Sequence, residues 1–260
     1  MKKLLFIGAH PDDAEFHAGG LMVQWVSQGY QVMILCLTDG AAGHHQMKPE
    51  KLAETRRQEA RAAASLLDAQ IQIWDTPDGE LEPSITLRRK LIQAIREYAP
   101  DLIVTHRTAD YHPDHRATAQ LVQDATYLLQ VPNIVSKVAP LKSIPPVLLA
   151  ADRFTYPRPF RADWVIDTTA AIGGVVELLH CHASQVYEWL PYTQNMSVPD
   201  TNRRSWLRAW YSKRPQSLAK AYAKDGAAYA EAFEISEYGG SFNPTEFLLD
   251  QPNNEIERDT

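Results

Sequence analysis

Short apolar runs alternate with longer amphipathic segments through the first half of the chain, and this alternation limits the possible folds more than any other feature. Leu4–Ala9, Gln31–Leu37, Ile71–Trp74 and Asp101–His106 have strand length and are punctuated by Gly29, Pro77-Asp78-Gly79 and Pro100. Between them, Glu15 to Gln28, Lys48–Leu67 and Leu87–Tyr98 read as helices. In the second of these, Ala60, Ala63, Ala64 and Leu67 recur at helical spacing. His115–Leu129 continues the pattern. Strand and helix in turn predict an α/β fold, a mostly parallel sheet joined by right-handed crossovers. Val147–Ala150 and Trp164–Ile166 predict further strands, Pro132–Pro146 a loop, and Thr169–His182 another helix. From Tyr192 to Ala232 the chain is aromatic and basic, which predicts helices packed across the sheet or against a partner. The expected organisation is one domain over 1–260, with a core to about 190 and a helical extension from about 191.

Composition narrows the function classes. With 45% apolar residues the 260-residue chain can bury a full core, and its net charge of -6 disfavours nucleic-acid binding. Cys36 and Cys181 are too few for a disulfide framework and read as packing residues. Lys2-Lys3 before Leu4–Ile7 imitates a signal peptide. The apolar stretch stops at His10-Pro11-Asp12-Asp13, no run is long enough to span a membrane, and the expected compartment is the cytoplasm.

The chemistry is concentrated in two motifs, each just past an expected strand: AHPDDAEFHAGG from Ala9 to Gly20, and YHPDHRA from Tyr111 to Ala117. Carboxyl ends of strands are where open α/β sheets assemble their sites. Two adjacent carboxylates ionise together at low cost only beside a cation, and a divalent metal is such a cation. One division of labour has Asp13 ligating the metal and Asp12 acting as general base toward a water whose pKa zinc lowers to roughly 7. His10, three residues before Asp13, can converge on the same ion, and Pro11 stiffens the turn. Helix capping accounts for one of the two aspartates but leaves the other, and His10, without a role. His112-Pro113-Asp114-His115 supplies a further ligand and an acid or oxyanion-binding group. Asp114 can orient the imidazole that is left free. Spacing does not say which of His112 and His115 takes which role.

Together these motifs resemble the PIG-L/LmbE-like family of metal-dependent N-deacetylases. Thr38-Asp39-Gly40, Arg56 and Glu59 in TRRQEA, Pro77-Asp78-Gly79, CHASQ at 181–185 and YAEAFEI at 229–235 agree with it, so the likeness touches most of the chain. The resemblance implies a Rossmann-like fold without a nucleotide. It implies one zinc (or iron(II)) per chain on His10, Asp13 and His115, with Asp12 as base. His112, supported by Asp114 and protonated, would meet the oxyanion, and Arg56 would bind substrate. The implied substrate is a small N-acetylglucosamine-type conjugate, with another amide or a carbamoyl group as the alternative, and a homo-oligomer fits the family. His17 departs from the pattern, since relatives carry a small residue there. His44, His45 and the 192–224 segment match nothing. A dinucleotide oxidoreductase is disfavoured, because Gly8, Gly19 and Gly20 do not form G-x-G-x-x-G and Asp12-Asp13 would repel a pyrophosphate. A binding protein without chemistry would need no base beside its metal.

Overall fold

The computed structural model describes residues 1–223 and 226–247; the remainder of the expected extension, 248–260, lies outside the described residues. The strands β1 (Lys3–Gly8), β2 (Gln31–Cys36), β3 (Gln70–Ile73), β4 (Leu102–Thr105), β5 (Val147–Ala150), β6 (Trp164–Asp167) and β7 (Ala230–Ile235) form one sheet in the order β3-β2-β1-β4-β5-β7-β6. The pairs from β3 through β5 are parallel, and β7 runs antiparallel between β5 and β6. The α/β architecture expected from the alternation is the one observed. The helices are α1 (Asp13–Ser27), α2 (Pro49–Leu67), α3 (Ile85–Tyr98), α4 (Pro113–Thr126) and α5 (Ile172–Cys181). A π-helix at Ser184–Trp189 then leads into α6 (Leu190–Thr193), followed by α7 (Arg203–Tyr211) and α8 (Lys213–Tyr222).

Strand alternation splits the core into two layers. Leu4, Phe6 and Val104 pack with Leu21, Met22 and Trp25 of α1 on one face. Leu5, Ile7 and Ile103 pack with Leu91, Ile92 and Ile95 of α3 and Leu121 of α4 on the other. A third cluster joins Val175 and Leu179 of α5 to Val186, Leu207 and Tyr211, so the aromatic tail packs on α5 beside the sheet. The irregular stretch before β5 is pinned by buried Arg96, whose guanidinium donates to the carbonyls of Leu128, Leu129, Val131, Ile134, Val135 and Val138. No helix among the described residues is long and apolar enough to cross a membrane.

One expectation is corrected. The tail is α-helical to Tyr222, but 230–235 form a strand, β7, rather than helix. Two buried glutamates hide this strand from a hydropathy reading. Glu231 accepts the amides of Gly20 (2.7 Å) and Leu21 (2.9 Å), and Glu234 pairs with Arg158 and Arg107.

Sheet order positions the site. From β1 the chain winds outward through β2 to β3, then returns to place β4 on β1's free edge, so connections diverge at the β1/β4 junction. Ile7 is in register with Thr105, whose hydroxyl donates to Ile7 O at 2.8 Å. The two loops leaving β1 and β4 therefore start side by side.

Candidate active site

The loop after β1 enters α1 through an unusual residue. Asp12 has φ 127°, a region costly for a side-chain-bearing residue, and although it occupies the N-cap position its carboxylate makes no capping bond. Its Oδ1 instead accepts from Arg56 Nη2 at 3.0 Å. Arg56, buried in α2, also donates to Pro11 O (2.7 Å) and, through Nη1, to Gly40 O (2.9 Å). Gly40 has φ +68° and approaches so closely that a Cβ there would lie 2.7 Å from the Arg56 guanidinium carbon. Arg56, expected to bind substrate, lines the cavity, and its fork clamps the HPDD turn. Asp12 Oδ2 has no hydrogen-bond partner among the described residues. Burial, with the charge of Asp13, pushes Asp12 up to about 6 against the pull of Arg56.

His10, Asp13 and His115 converge. His10 Nδ1 lies 3.2 Å from His115 Nε2 and 3.6 Å from Asp13 Oδ2, and His115 Nε2 lies 3.3 Å from Asp13 Oδ1. The outward nitrogen of each imidazole is held by carboxylates. His10 Nε2 faces Asp78 (3.1 Å) and Asp114 (3.3 Å), while His115 Nδ1 faces Asp110 (3.0 Å). A proton fixed on the outward nitrogen leaves the inward one with its lone pair, the arrangement a divalent cation requires of imidazole ligands. Burial opposes charge on both rings, but these carboxylates outweigh it, holding His10 up at about 9 and His115 up at about 10. Burial works against ionised Asp13 as well, yet the neighbouring charges of His115 and His106 hold its carboxyl well below the usual range. The donor set fits a metal ion.

His112 caps α4: its Nδ1 accepts the Asp114 amide at 3.2 Å. Nitrogens of His10, His112 and His115 lie within 4.8 Å of one another, so proximity alone admits His112 as a ligand. The cap argues otherwise, because an imidazole accepting at Nδ1 carries its proton on Nε2 and has no lone pair left there. Burial, then the charges of His10 and His115, hold His112 below its ordinary value. The cap and the burial favour a neutral ring that donates through Nε2, in contrast to the expected imidazolium. The role expected of Asp114 is corrected too. Its carboxylate accepts from Gly79 N (2.7 Å) and Leu81 N (3.2 Å) and faces His10, and it reaches His112 only through its backbone amide.

Sequence reasoning missed three contributors. Asp110 accepts from the His112 amide at 3.0 Å as well as facing His115. Asp78 was visible only as a turn residue. His106, at the end of β4, stacks on His115 (centroids 4.0 Å, 8° between planes) and places Nε2 3.1 Å from Asp13 Oδ2. Asp110, five residues beyond the end of β4, carried no spacing signal. Elsewhere, Glu59 of α2 accepts from the amide (2.7 Å) and hydroxyl (2.6 Å) of Ser184, joining the TRRQEA and CHASQ segments. Cys181 Sγ donates to Glu177 O and takes no part in the centre. His44 and His45 stack on each other, and His45 on Tyr192, beside the cavity rather than in it.

These groups line a cavity of about 770 Å³ together with Phe16, Trp189, Trp210, Tyr211 and residues 152–154. A base with a free oxygen, three convergent ligands and an N–H donor can activate water against an electrophilic carbon.

A family model described as PIG-L, GlcNAc-PI de-N-acetylase, matches residues 5–126. The chain is 26% identical over 201 residues to 4-oxalmesaconate hydratase of Pseudomonas putida, covering 74% of this chain and 78% of that one. It is 26% identical over 209 residues to diacetylchitobiose deacetylase of Thermococcus kodakarensis, covering 76% and 77%. The solved structure of N,N'-diacetylchitobiose deacetylase from Pyrococcus horikoshii superposes with a TM-score of 0.74 at 25% identity, covering 91% of this chain and 84% of that one.

Proposed function

We propose that the chain, which matches the PIG-L family model over residues 5–126 and is similar to deacetylases and an amidase, is a metal-dependent hydrolase removing the N-acetyl group of an N-acetylated sugar conjugate in the cytoplasm. The observation that carries this reading is the pairing of Asp12, its Oδ2 unpartnered, with the His10–Asp13–His115 donor set directly beside it.

His10 Nδ1, the Asp13 carboxylate and His115 Nε2 would hold the ion, with zinc the first candidate for this set. When bound, it supplies a Lewis acid that makes water acidic near neutrality and polarises the acyl carbonyl. Asp12 Oδ2 takes the proton of the attacking water as the new C–O bond forms. The oxygen of the former carbonyl gains the electron pair, and His112 Nε2–H donates a hydrogen bond to it. The C–N bond then breaks, Asp12 returns its proton to the amine nitrogen, and acetate leaves. Arg56 keeps Asp12 in position and ionised. Asp114 and Asp78 fix His10, and Asp110 fixes His115.

A second reading is supported by the hydratase relative: the same base and cation would add water across a polarised double bond. Acetate release by zinc-reconstituted protein from a panel of N-acetylglucosamine conjugates separates the two. Asp12→Ala should abolish release while keeping one metal per chain, and His115→Ala should lose the metal. Wild-type activity in both variants would refute the assignment.

A further inference from the structure

The cavity lining carries both signs of charge. Its carboxylates, Asp12, Asp13, Asp78, Asp110 and Asp152, are each engaged by histidine, arginine or backbone. It also carries Arg153, Lys213 and Arg214, and none of these three has a carboxylate within ion-pair distance among the described residues. The buried arginines differ. Arg56 and Arg107 have carboxylate partners, and Arg96 is enclosed by carbonyls.

Arg214 is the best defined of the three. It stands at the second position of α8 with Nη2 fixed by two acceptors, Ala151 O at 2.6 Å and His17 Nδ1 at 2.9 Å. His17 is the residue that departed from the family pattern, and its role is now visible. A guanidinium only donates, so His17 Nδ1 accepts from it at 2.9 Å and the ring holds the guanidinium in place. The same ring packs edge-on to His106 (5.2 Å) and to His115 (6.1 Å). Arg214 therefore sits one imidazole away from a ligand of the metal centre, with Nη1 and Nε making no hydrogen bond among the described residues and its side chain lining the cavity. A fixed guanidinium fork with no carboxylate in ion-pair distance among the described residues, lining a cavity with two further cations, matches a carboxylate or phosphate ligand.

We propose that Arg214, oriented by His17 and assisted by Arg153 and Lys213, forms an anion subsite, and that the substrate carries a carboxylate or phosphate a short reach from the bond attacked beside Asp12. This deepens the hydrolase reading and rests on it for the identity of that bond, but the subsite itself is a statement about binding.

The test uses zinc-loaded protein. Acetate release is compared on matched N-acetylglucosamine conjugates with neutral, carboxylated and phosphorylated substituents, and succinate and inorganic phosphate are titrated by calorimetry. Wild type should prefer one anionic class by about tenfold or more in kcat/KM, as a charge-assisted contact warrants, and the preferred class identifies the anion. In Arg214→Gln the preference should collapse toward one through KM, and the matching probe should bind about tenfold more weakly although the metal is retained. That comparison separates anion held by Arg214 from anion held by the metal. If Arg214→Gln does not fold, the exposed pair Arg153→Gln/Lys213→Gln should show the same direction at a few-fold. Probe binding that depends on Arg214, with no acetate from any conjugate, would leave the subsite standing and sink the deacetylase reading. Equal turnover of neutral and anionic conjugates, with a ratio unmoved in the variants, would overturn the subsite and leave the deacetylase.

Discussion

Replacing Arg56 with Gln tests whether this buried arginine serves the base or the substrate. Its Nη2 lies 3.0 Å from Asp12 Oδ1, and it also donates to Pro11 O and Gly40 O. Asp12 must be ionised to accept a proton, so activity falls as pH drops through its pKa, which burial and Asp13 push up to about 6 despite the guanidinium. An opposite charge at this distance lowers a carboxyl by about one to three units, so removing it moves the acid limb of kcat/KM upward by that amount. With a shift of one unit, the ionised fraction at pH 6 falls from about one half to about one tenth. A cation bound by His10, Asp13 and His115 lowers both limbs alike, and the difference between the two proteins is the quantity to measure. Gln keeps one donor for the turn, and the loss of bonds to buried carbonyls should cost about 1–3 kcal/mol in urea unfolding. The assay is a pH–rate profile of acetate release for both proteins, each at full metal occupancy. An acid limb that stays in place while KM rises would refute the positioning argument and return Arg56 to the substrate.

Chelation should abolish turnover, and divalent zinc should restore it. Because His10 and His115 are held up at about 9 and about 10 without metal, metal binding at pH 7.5 must release protons. Calorimetry in buffers of different ionisation enthalpy measures this, and zero release would contradict the ligand assignment. Glu231 makes the fold itself pH-sensitive. Burial pushes it up to about 7, against its two backbone bonds, from an ordinary 4.5. The native state therefore holds the proton that the unfolded chain loses, and this stabilisation is complete below pH 4.5 and lost as pH rises through 7. Relative to Glu231→Gln, wild type should lose about 3 kcal/mol between those limits. Parallel stability curves would show that Glu231 is ionised in the native protein.

The α/β fold was legible because strands buried on both faces read as uninterrupted apolar runs, and the helices between them are amphipathic. β7 was not, because Glu231 and Glu234 are buried by partners distant in sequence. The site shows the same division. His10, Asp12, Asp13 and His115 come together as the motifs suggested. Asp110, Asp78 and His106 act by reaching a ring from another loop, and no local spacing encodes that. Arg56 was found, but a sequence shows that a guanidinium is present and not that its fork closes on Pro11 and Gly40. His17 seemed a departure without consequence until the fold placed Arg214, 197 positions away, against it.

Asp12 joins the backbone argument to the chemical one. Its φ of 127° suits glycine, and its carboxylate returns no capping bond for the strain. A residue in such a region costs about 1–3 kcal/mol and persists only where its surroundings over-determine it. Here they do: Arg56 holds the side chain, and Asp13 Oδ2 accepts the His10 amide at 2.7 Å across the same turn. The strain can be measured apart from the chemistry by comparing Asp12→Gly with Asp12→Ala. Both lack the carboxylate and both leave Arg56 without that partner, so neither should turn over substrate. They differ in that Ala must still occupy φ 127° and Gly does so freely. Glycine's extra unfolded-state entropy works the other way by about 0.5–1 kcal/mol. If strain dominates, Asp12→Gly should be the more stable variant by about 1 kcal/mol in urea unfolding. If Ala equals or exceeds Gly, the turn relaxes once the carboxylate is gone, and the conformation of Asp12 is imposed by its partners rather than stored in the backbone.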